Sequence, residues 1–139
     1  MLSRVLIVGE SNPYGSDPRY ALYPLPENAT GGRLCKILGL SKREYMQTFD
    51  RTNLVALGLG NWPSSVAKDR AGLLKHRRRI LLGKRVADAH SVPFRPFRTF
   101  TTDRGVEVLI LPHPSGRNLI WNDPRSAVKA RRAVGKFIR

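Results

Sequence analysis

The first apolar run of the chain limits its possible folds more than any other feature. Residues 5–8 are four consecutive aliphatic residues, and Gly9 ends the run. A short run rich in β-branched residues and closed by glycine predicts a strand that is buried on both faces, as strands of parallel sheets are. Residues 10–15 are polar or contain proline, so they predict a loop at the carboxyl end of this strand.

Three further apolar runs follow, and amphipathic segments separate most of them. The predicted strands are residues 5–8, 52–59, 80–83 and 106–111. The predicted helices are residues 33–40, 64–75, 84–90 and 124–139, with a short helical turn after Ser41. Strands that alternate with helices favour a parallel sheet with right-handed crossovers. We therefore expect an α/β fold with three α/β/α layers around a central four-stranded parallel sheet, in one domain that spans residues 1–139.

Local signals place two helix starts. Ser41 is followed three residues later by Glu44, which is the pattern of a capping box. Asp123 precedes Pro124, a residue that favours the first position of a helix. The expected inward-facing residues are Val66, Leu73 and Leu74 in the helix at 64–75, and Ala127, Val128, Val134 and Ile138 in the last helix.

Residues 93–100 alternate aromatic and basic side chains and predict a loop. Such alternation suits single-stranded nucleic acid, because bases stack on aromatic rings while cations follow the backbone. We give more weight to packing of Phe94, Phe97 and Phe100 beneath the sheet.

The charge of the chain favours a polyanionic partner. Lys and Arg number 25 against 10 Asp and Glu, which gives a formal net charge of +15. Nucleic acid is the first candidate for such a surplus, with residues 75–79 and the last helix as its densest basic segments. A generally basic surface is the alternative. An anionic membrane is a weaker candidate, because the sequence has neither a long apolar segment nor a basic amphipathic anchor.

Cys35 is the only cysteine, so one chain can form neither a disulfide framework nor a cysteine-ligated zinc or iron–sulfur site. A reducing, intracellular setting follows from this usage. Residues 1–8 are too short for a signal peptide and lead directly into the first strand. We expect a cytoplasmic or nucleoid-associated protein without a targeting signal.

The predicted loops carry polar residues that a parallel sheet would bring together. Asn12 follows the first strand, Asn53 lies in the second, and His113 follows the fourth. Ligands of open α/β sheets bind just beyond the carboxyl ends of the strands. We therefore expect these three side chains to share one cleft, although an ordinary Asn-Pro turn would also explain the first loop.

Three motifs in this order resemble those of the uracil-DNA glycosylase superfamily, and the resemblance runs nearly end to end. The loop GESNPYG at 9–15 is similar to the first catalytic motif of these enzymes. Residues 52–55, TNLV, resemble the strand whose asparagine recognises the flipped base. Residues 113–118, HPSGRN, resemble the second catalytic motif, with a Ser-Gly step like the mismatch-specific branch and an Arg-Asn step like the single-strand-selective monofunctional branch.

The first loop departs from the family pattern, because it holds one extra residue between Gly9 and Pro13. Counting forward from Gly9 makes Glu10 the catalytic residue, whereas counting back from Pro13 makes it Asn12. Proline restricts the residue before it to extended conformations, so the sequence gives Asn12 more weight than Glu10. The chain is also short for this superfamily, which implies that some DNA-gripping loops are missing.

The resemblance implies a monofunctional glycosylase that flips uracil or a related modified base out of DNA and hydrolyses its N-glycosidic bond. It implies catalytic roles for Asn12, Glu10 and His113. It implies base contacts for Asn53, Tyr23, Tyr20 and Tyr14, although Tyr20 and Tyr23 could instead fill the core of their own loop. It implies DNA contacts for Pro13, Ser115, Gly116, Arg117 and Asn118.

No metal or organic cofactor is expected. The expected partner is single- or double-stranded DNA, bound by a monomer without membrane association. One alternative is a reader of the same fold that recognises a modified or flipped base without cleaving it. Hydrolysis of free nucleosides or nucleotides is another alternative, but it leaves the charge surplus unexplained.

Overall fold

The computed structural model describes residues 4–11, 17–55 and 62–139. Its strands are β1 (Val5–Ser11), β2 (Phe49–Val55), β3 (Arg78–Leu82), β4 (Thr99–Thr101) and β5 (Glu107–Leu111). Its α-helices are α1 (Thr30–Leu38), α2 (Lys42–Thr48), α3 (Ser64–Leu73), α4 (Lys84–Ala89) and α5 (Pro124–Phe137). Short 3₁₀ helices span Pro18–Tyr20 and Leu119–Asn122.

The strands form one mixed sheet in the order β2-β1-β3-β5-β4. The strands β2, β1, β3 and β5 are parallel to one another, and β4 pairs antiparallel with β5 at one edge of the sheet. The α/β class and the mostly parallel sheet are thus confirmed, whereas the expected count of four strands is wrong. The additional strand, β4, overlaps the last two residues of the predicted loop 93–100, and its three residues are too few to show a periodicity in the sequence.

The sheet separates two hydrophobic clusters. Ile7, with β3 and β5 residues of the same face, packs against residues of α1 and α5. Val8, with the alternate residues of those strands, packs against residues of α3 and α4. This distribution is the one expected for helices on both faces of a buried parallel sheet. Phe97 packs against the first cluster, and Phe94 and Phe100 pack against the second, in agreement with the packing role predicted for them.

Both predicted helix starts are confirmed. Ser41 and Glu44 exchange both hydrogen bonds of a capping box, at 3.1 and 3.0 Å. The Asp123 side chain accepts from the Arg125 backbone N–H at 2.9 Å, and Pro124 begins α5.

The inward faces of two helices differ from the prediction. Val66 and Leu73 of α3 are exposed, and Ala67 and Ala71 are buried in their place, because small residues one turn apart let the helix approach its neighbours closely. Leu74 is half-buried against the hydrophobic cluster on the α3 and α4 face of the sheet, as predicted.

In α5, Val134 is buried as predicted and Ala127 is half-buried, but Val128 is exposed, as is Ile138 directly after the helix. Its buried residues are Ser126, Ala130, Val134 and Phe137. Among the described residues, no helix is both long enough and apolar enough to cross a membrane.

Candidate functional site

The carboxyl ends of three neighbouring strands bring two predicted catalytic residues together. Glu10 lies at the end of β1, Gly83 follows β3, and His113 follows β5 by one proline. A Cβ added at Gly83 would lie 3.2 Å from His113 Cβ and 3.5 Å from Glu10 Oε2. Gly83 also has φ +90°, which L side chains rarely adopt. Gly83 therefore leaves a space that the Glu10 carboxylate and the His113 side chain both border.

The hydrogen bonds of His113 define its tautomer. The backbone N–H of Ser115 donates to His113 Nδ1 at 3.1 Å, so Nδ1 is an acceptor and Nε2 carries the proton of the neutral ring. Burial lowers the pKa of His113 below its ordinary value, with Arg85 acting in the same direction and Glu10 opposing it. At neutral pH the ring is therefore an uncharged donor through Nε2.

Arg85, in the first turn of α4, contacts both Glu10 and Trp62. Its Nη1 lies 3.7 Å from Glu10 Oε1, and its guanidinium lies over the Trp62 ring, 5.4 Å from the centroid. Arg85 is more than half exposed, so this ion pair orients Glu10 more than it stabilises the fold. The sequence analysis missed Gly83 and Arg85. The glycine directly after the apolar run of β3 repeats the pattern of Gly9 after β1, and this signal could have identified it.

Asn53 lies on β2 directly opposite Gly9 of β1. Its Oδ1 is fully buried, and no hydrogen-bond donor of the described chain reaches it. A Cβ at Gly9 would lie 2.5 Å from this oxygen and 2.9 Å from a methyl carbon of Leu22, so only glycine leaves room for the amide. An unsatisfied buried acceptor costs about 1–3 kcal/mol. A side chain retained at that cost is a candidate for binding a ligand.

Tyr20 and Tyr23 are held near β2 by Arg51. The Arg51 guanidinium lies 5.8 Å from the centroid of the Tyr23 ring and donates to the Ala21 carbonyl at 2.8 Å. The two tyrosine rings meet edge to face at 5.3 Å. Arg51 lies two residues before Asn53 on the same strand, so the aromatic pair lies on the Asn53 side of the sheet.

The segment after His113 is shaped by its own polar groups. The Asn118 side chain donates to the His113 carbonyl at 3.1 Å, and Trp121 Nε1 donates to the same oxygen at 2.9 Å. The Ser115 hydroxyl accepts from the Arg117 backbone N–H at 3.1 Å. Ser115 and Asn118 therefore give the loop its conformation, whereas the Arg117 side chain is exposed.

Arg33 of α1 contacts the loop that follows His113, and the sequence analysis missed this contact. Its Nε donates to the Pro114 carbonyl at 2.9 Å. A Cβ at Gly116 would lie 3.2 Å from three atoms of the Arg33 guanidinium, so glycine permits this approach. Nothing in the local sequence pairs Arg33 with a loop more than 80 residues away.

Asn12, Pro13 and Tyr14 lie outside the described residues, so their predicted roles stay predictions. Among the described residues, no group of three or more His, Cys, Asp or Glu side chains is placed to hold a metal ion. Comparisons of the chain with protein-family models, curated proteins and solved structures found no match.

Proposed function

We propose that this protein is a monofunctional DNA glycosylase that removes uracil or a related modified base by base flipping. The observation that carries the proposal is the Glu10 carboxylate beside a neutral His113 whose Nε2 bears the proton. The three-motif resemblance to the uracil-DNA glycosylase superfamily and the net charge of +15 support it. The sheet order, with helices on both faces, supports the three-layer architecture that this proposal assumes.

Cleavage of an N-glycosidic bond needs a proton acceptor near the sugar and a donor near the base. In this proposal Glu10 takes a proton from a water whose oxygen bonds to C1′. The bond from C1′ to the base breaks, its electron pair leaves with the base, and the base then gains a proton from solvent. Nε2–H of His113 stabilises the departing anion, and an uncharged imidazole does so without repelling the cationic sugar.

We assign the proton-acceptor role to Glu10 because its carboxylate borders the same space as His113, although the proline that follows Asn12 favours Asn12. Asn12 would position the water, since an amide cannot deprotonate it strongly. Asn53 would accept from N3–H of the flipped uracil through Oδ1, which has no partner among the described residues, and would donate to O4 through its amide N–H. Tyr23 and Tyr20 would supply stacking, and Tyr14 would exclude a 5-methyl group.

The remaining roles concern DNA. Ser115 would hold a phosphate through its hydroxyl proton, because the backbone N–H groups of Ser115 and Arg117 already have partners within the loop, and Gly116 allows the backbone to come close. Pro13 and Asn118 would shape the two DNA-facing loops. The exposed Arg117 would fill the gap that the flipped base leaves, because a guanidinium can stack on bases and stay near phosphates.

Incubation with oligonucleotides that carry uracil, hydroxymethyluracil, hypoxanthine or no lesion tests the proposal, followed by alkali to reveal abasic sites. We expect abasic product from at least one lesion and intact strands before alkali. Tight lesion binding without product would favour the reader alternative. Activity on free nucleosides alone would favour the nucleosidase alternative.

Two variants test the assignment of the proton acceptor. Glu10→Gln keeps the size of the side chain and should lower turnover by about 10²–10⁴-fold, the usual contribution of a general base. DNA affinity should change little, because the lost interaction acts in the transition state. Asn12→Ala should lower turnover less. The reverse order would return the catalytic role to Asn12.

Asn53→Asp tests the base contact. A carboxylate can only accept hydrogen bonds, so uracil should lose its partner for O4, whereas the N4 donor of cytosine gains one. Excision of uracil should fall. Unchanged excision of uracil would remove Asn53 from the site.

A further inference from the structure

A cavity lies at the opposite end of the strands from the candidate site. Its volume is about 480 Å³, within the range of small-ligand sites. It opens at the amino ends of β3 and β5, between the last turns of α3 and α4 and the turn that joins β4 to β5. None of the catalytic or base-binding residues assigned above lines it.

Positive charge dominates the lining of this cavity. Its exposed cations are Lys68, Lys75, Arg77 and Arg104. Among the described residues, none of these four has a carboxylate within ion-pair distance, and Asp103 is the only carboxylate in the lining. By contrast, His76 at the same edge meets Asp50 at 2.7 Å. The four cations are therefore available to an external anion. We name this surface the basic cleft.

A buried guanidinium adds to the positive potential of the basic cleft. Arg79 is 4% exposed and donates to the carbonyls of Ala71, Leu74 and His76 at 2.8–3.0 Å. Within the described chain no carboxylate neutralises it. Carbonyl dipoles satisfy its hydrogen bonds but leave its net charge in place, and that charge is weakly screened because it is buried.

Two contacts tie the walls of the basic cleft together. Arg104 Nη1 donates to the Gly72 carbonyl at 3.4 Å, which links the β4–β5 turn to the end of α3. A Cβ at Gly105 would lie 3.7 Å from Arg77 Nη1, so Arg77 passes close over the same turn. The cations thus belong to segments that contact one another, so less conformational entropy of these segments is lost when a ligand binds.

We propose that the basic cleft binds phosphate groups, as an anion site separate from the candidate active site. Several cations that converge on one concave surface suit an oxyanion with several acceptor oxygens. The phosphates can belong to a nucleic-acid backbone or to a free nucleotide, and the experiment distinguishes these sources. The proposal does not depend on glycosylase activity.

The double variant Lys75→Gln/Arg77→Gln removes two exposed charges of the cleft without touching buried Arg79. The matched control is Lys129→Gln/Arg132→Gln, which removes two exposed charges from α5 on the other face of the sheet. In the first arm, binding of a labelled, undamaged DNA duplex is measured by fluorescence anisotropy over a range of salt concentrations. In the second arm, pyrophosphate and ATP are titrated into each isotope-labelled protein, and amide NMR signals are followed.

If backbone phosphates occupy the cleft, its double variant should reduce the slope of log affinity against log salt by about 2, since each neutralised phosphate contributes about 0.9. The α5 variant should change the slope less. If free nucleotides occupy it, ATP and pyrophosphate should shift cleft signals saturably in the wild type and not in the cleft variant, while both variants bind DNA alike. The proposal is overturned if the two variants have the same salt slope and neither phosphate compound shifts cleft signals saturably. Detection of abasic product, or its absence, leaves these readouts unchanged.

Discussion

Acid should destabilise this protein through one buried pair, His90 and Arg79. His90 is 9% exposed; its Nδ1 donates to the Val86 carbonyl at 2.9 Å, and its Nε2 lies 3.1 Å from Arg79 Nη1. Since the guanidinium is a permanent donor, Nε2 is the acceptor and the ring is neutral. Protonation would place two buried cations in contact. Burial, with Arg79 as a smaller cause, lowers the pKa of His90 to about 4.

The sign and the size of the effect follow from that pKa. The unfolded chain binds the proton at the ordinary value of 6.5, whereas the folded chain binds it only near 4. Between these values the unfolded state holds more protons, so the free energy of unfolding falls as the pH falls. Each pKa unit is worth about 1.4 kcal/mol, so the full loss is about 3 kcal/mol. That is a large part of the 5–15 kcal/mol by which domains are typically stable.

Urea unfolding between pH 7 and about pH 4 measures this loss. The control variant is His90→Asn, whose amide can keep the bond to the Val86 carbonyl but does not titrate. With a urea dependence of about 1–3 kcal/mol per molar, the wild-type midpoint should fall by roughly 1–3 M more than that of the variant. His113 also has a lowered pKa, and the comparison cancels its contribution because both proteins contain it. Parallel losses of stability in the two proteins would refute this account of His90.

Two further predictions concern the candidate site and its rim. Glu10→Gln should lower the pKa of His113 and Arg85→Gln should raise it, because each removes a charge that acts on the ring. NMR titration of the imidazole measures both pKa values. Shifts of the His113 pKa in the same direction in the two variants would contradict the geometry. Arg117→Ala should reduce excision from duplex DNA much more than from single strands, because a paired base costs more to unstack. Arg125→Ala on α5 is the control expected to weaken both substrates about equally through lost charge, and equal losses for Arg117→Ala would make that residue a phosphate contact.

Much of the fold could be predicted from local patterns. The strands β1, β3 and β5 follow from aliphatic runs such as residues 5–8, because a doubly buried strand tolerates such a run. The strand predicted at residues 52–59 instead begins at Phe49, because the polar residues Asp50 and Arg51 give no apolar run at its start. The starts of α2 and α5 follow from Ser41 and Asp123, since a capping side chain bonds to backbone only two or three residues away. The inward face of α3 could not be predicted this way. Ala67 and Ala71 are buried because of what packs beside them, and hydrophobicity alone favoured Val66 and Leu73.

The candidate site could likewise be predicted only in part from the sequence. That Glu10 and His113 lie at strand ends follows from the sequence, because glycine or proline stops each apolar run and parallel strands share one carboxyl edge. The strand order brings them to the same point, since β3 lies between β1 and β5 and supplies Gly83.

Local sequence patterns are enough to predict the α/β class, the strands β1, β3 and β5, two helix caps and the basic charge, because each depends on composition or on contacts between near neighbours. The tertiary structure alone decided that β4 joins the sheet, that Arg33 and Arg85 serve the candidate site, and that scattered cations converge on the basic cleft. These features depend on pairs of residues far apart in the chain, and no local pattern encodes which distant segments meet.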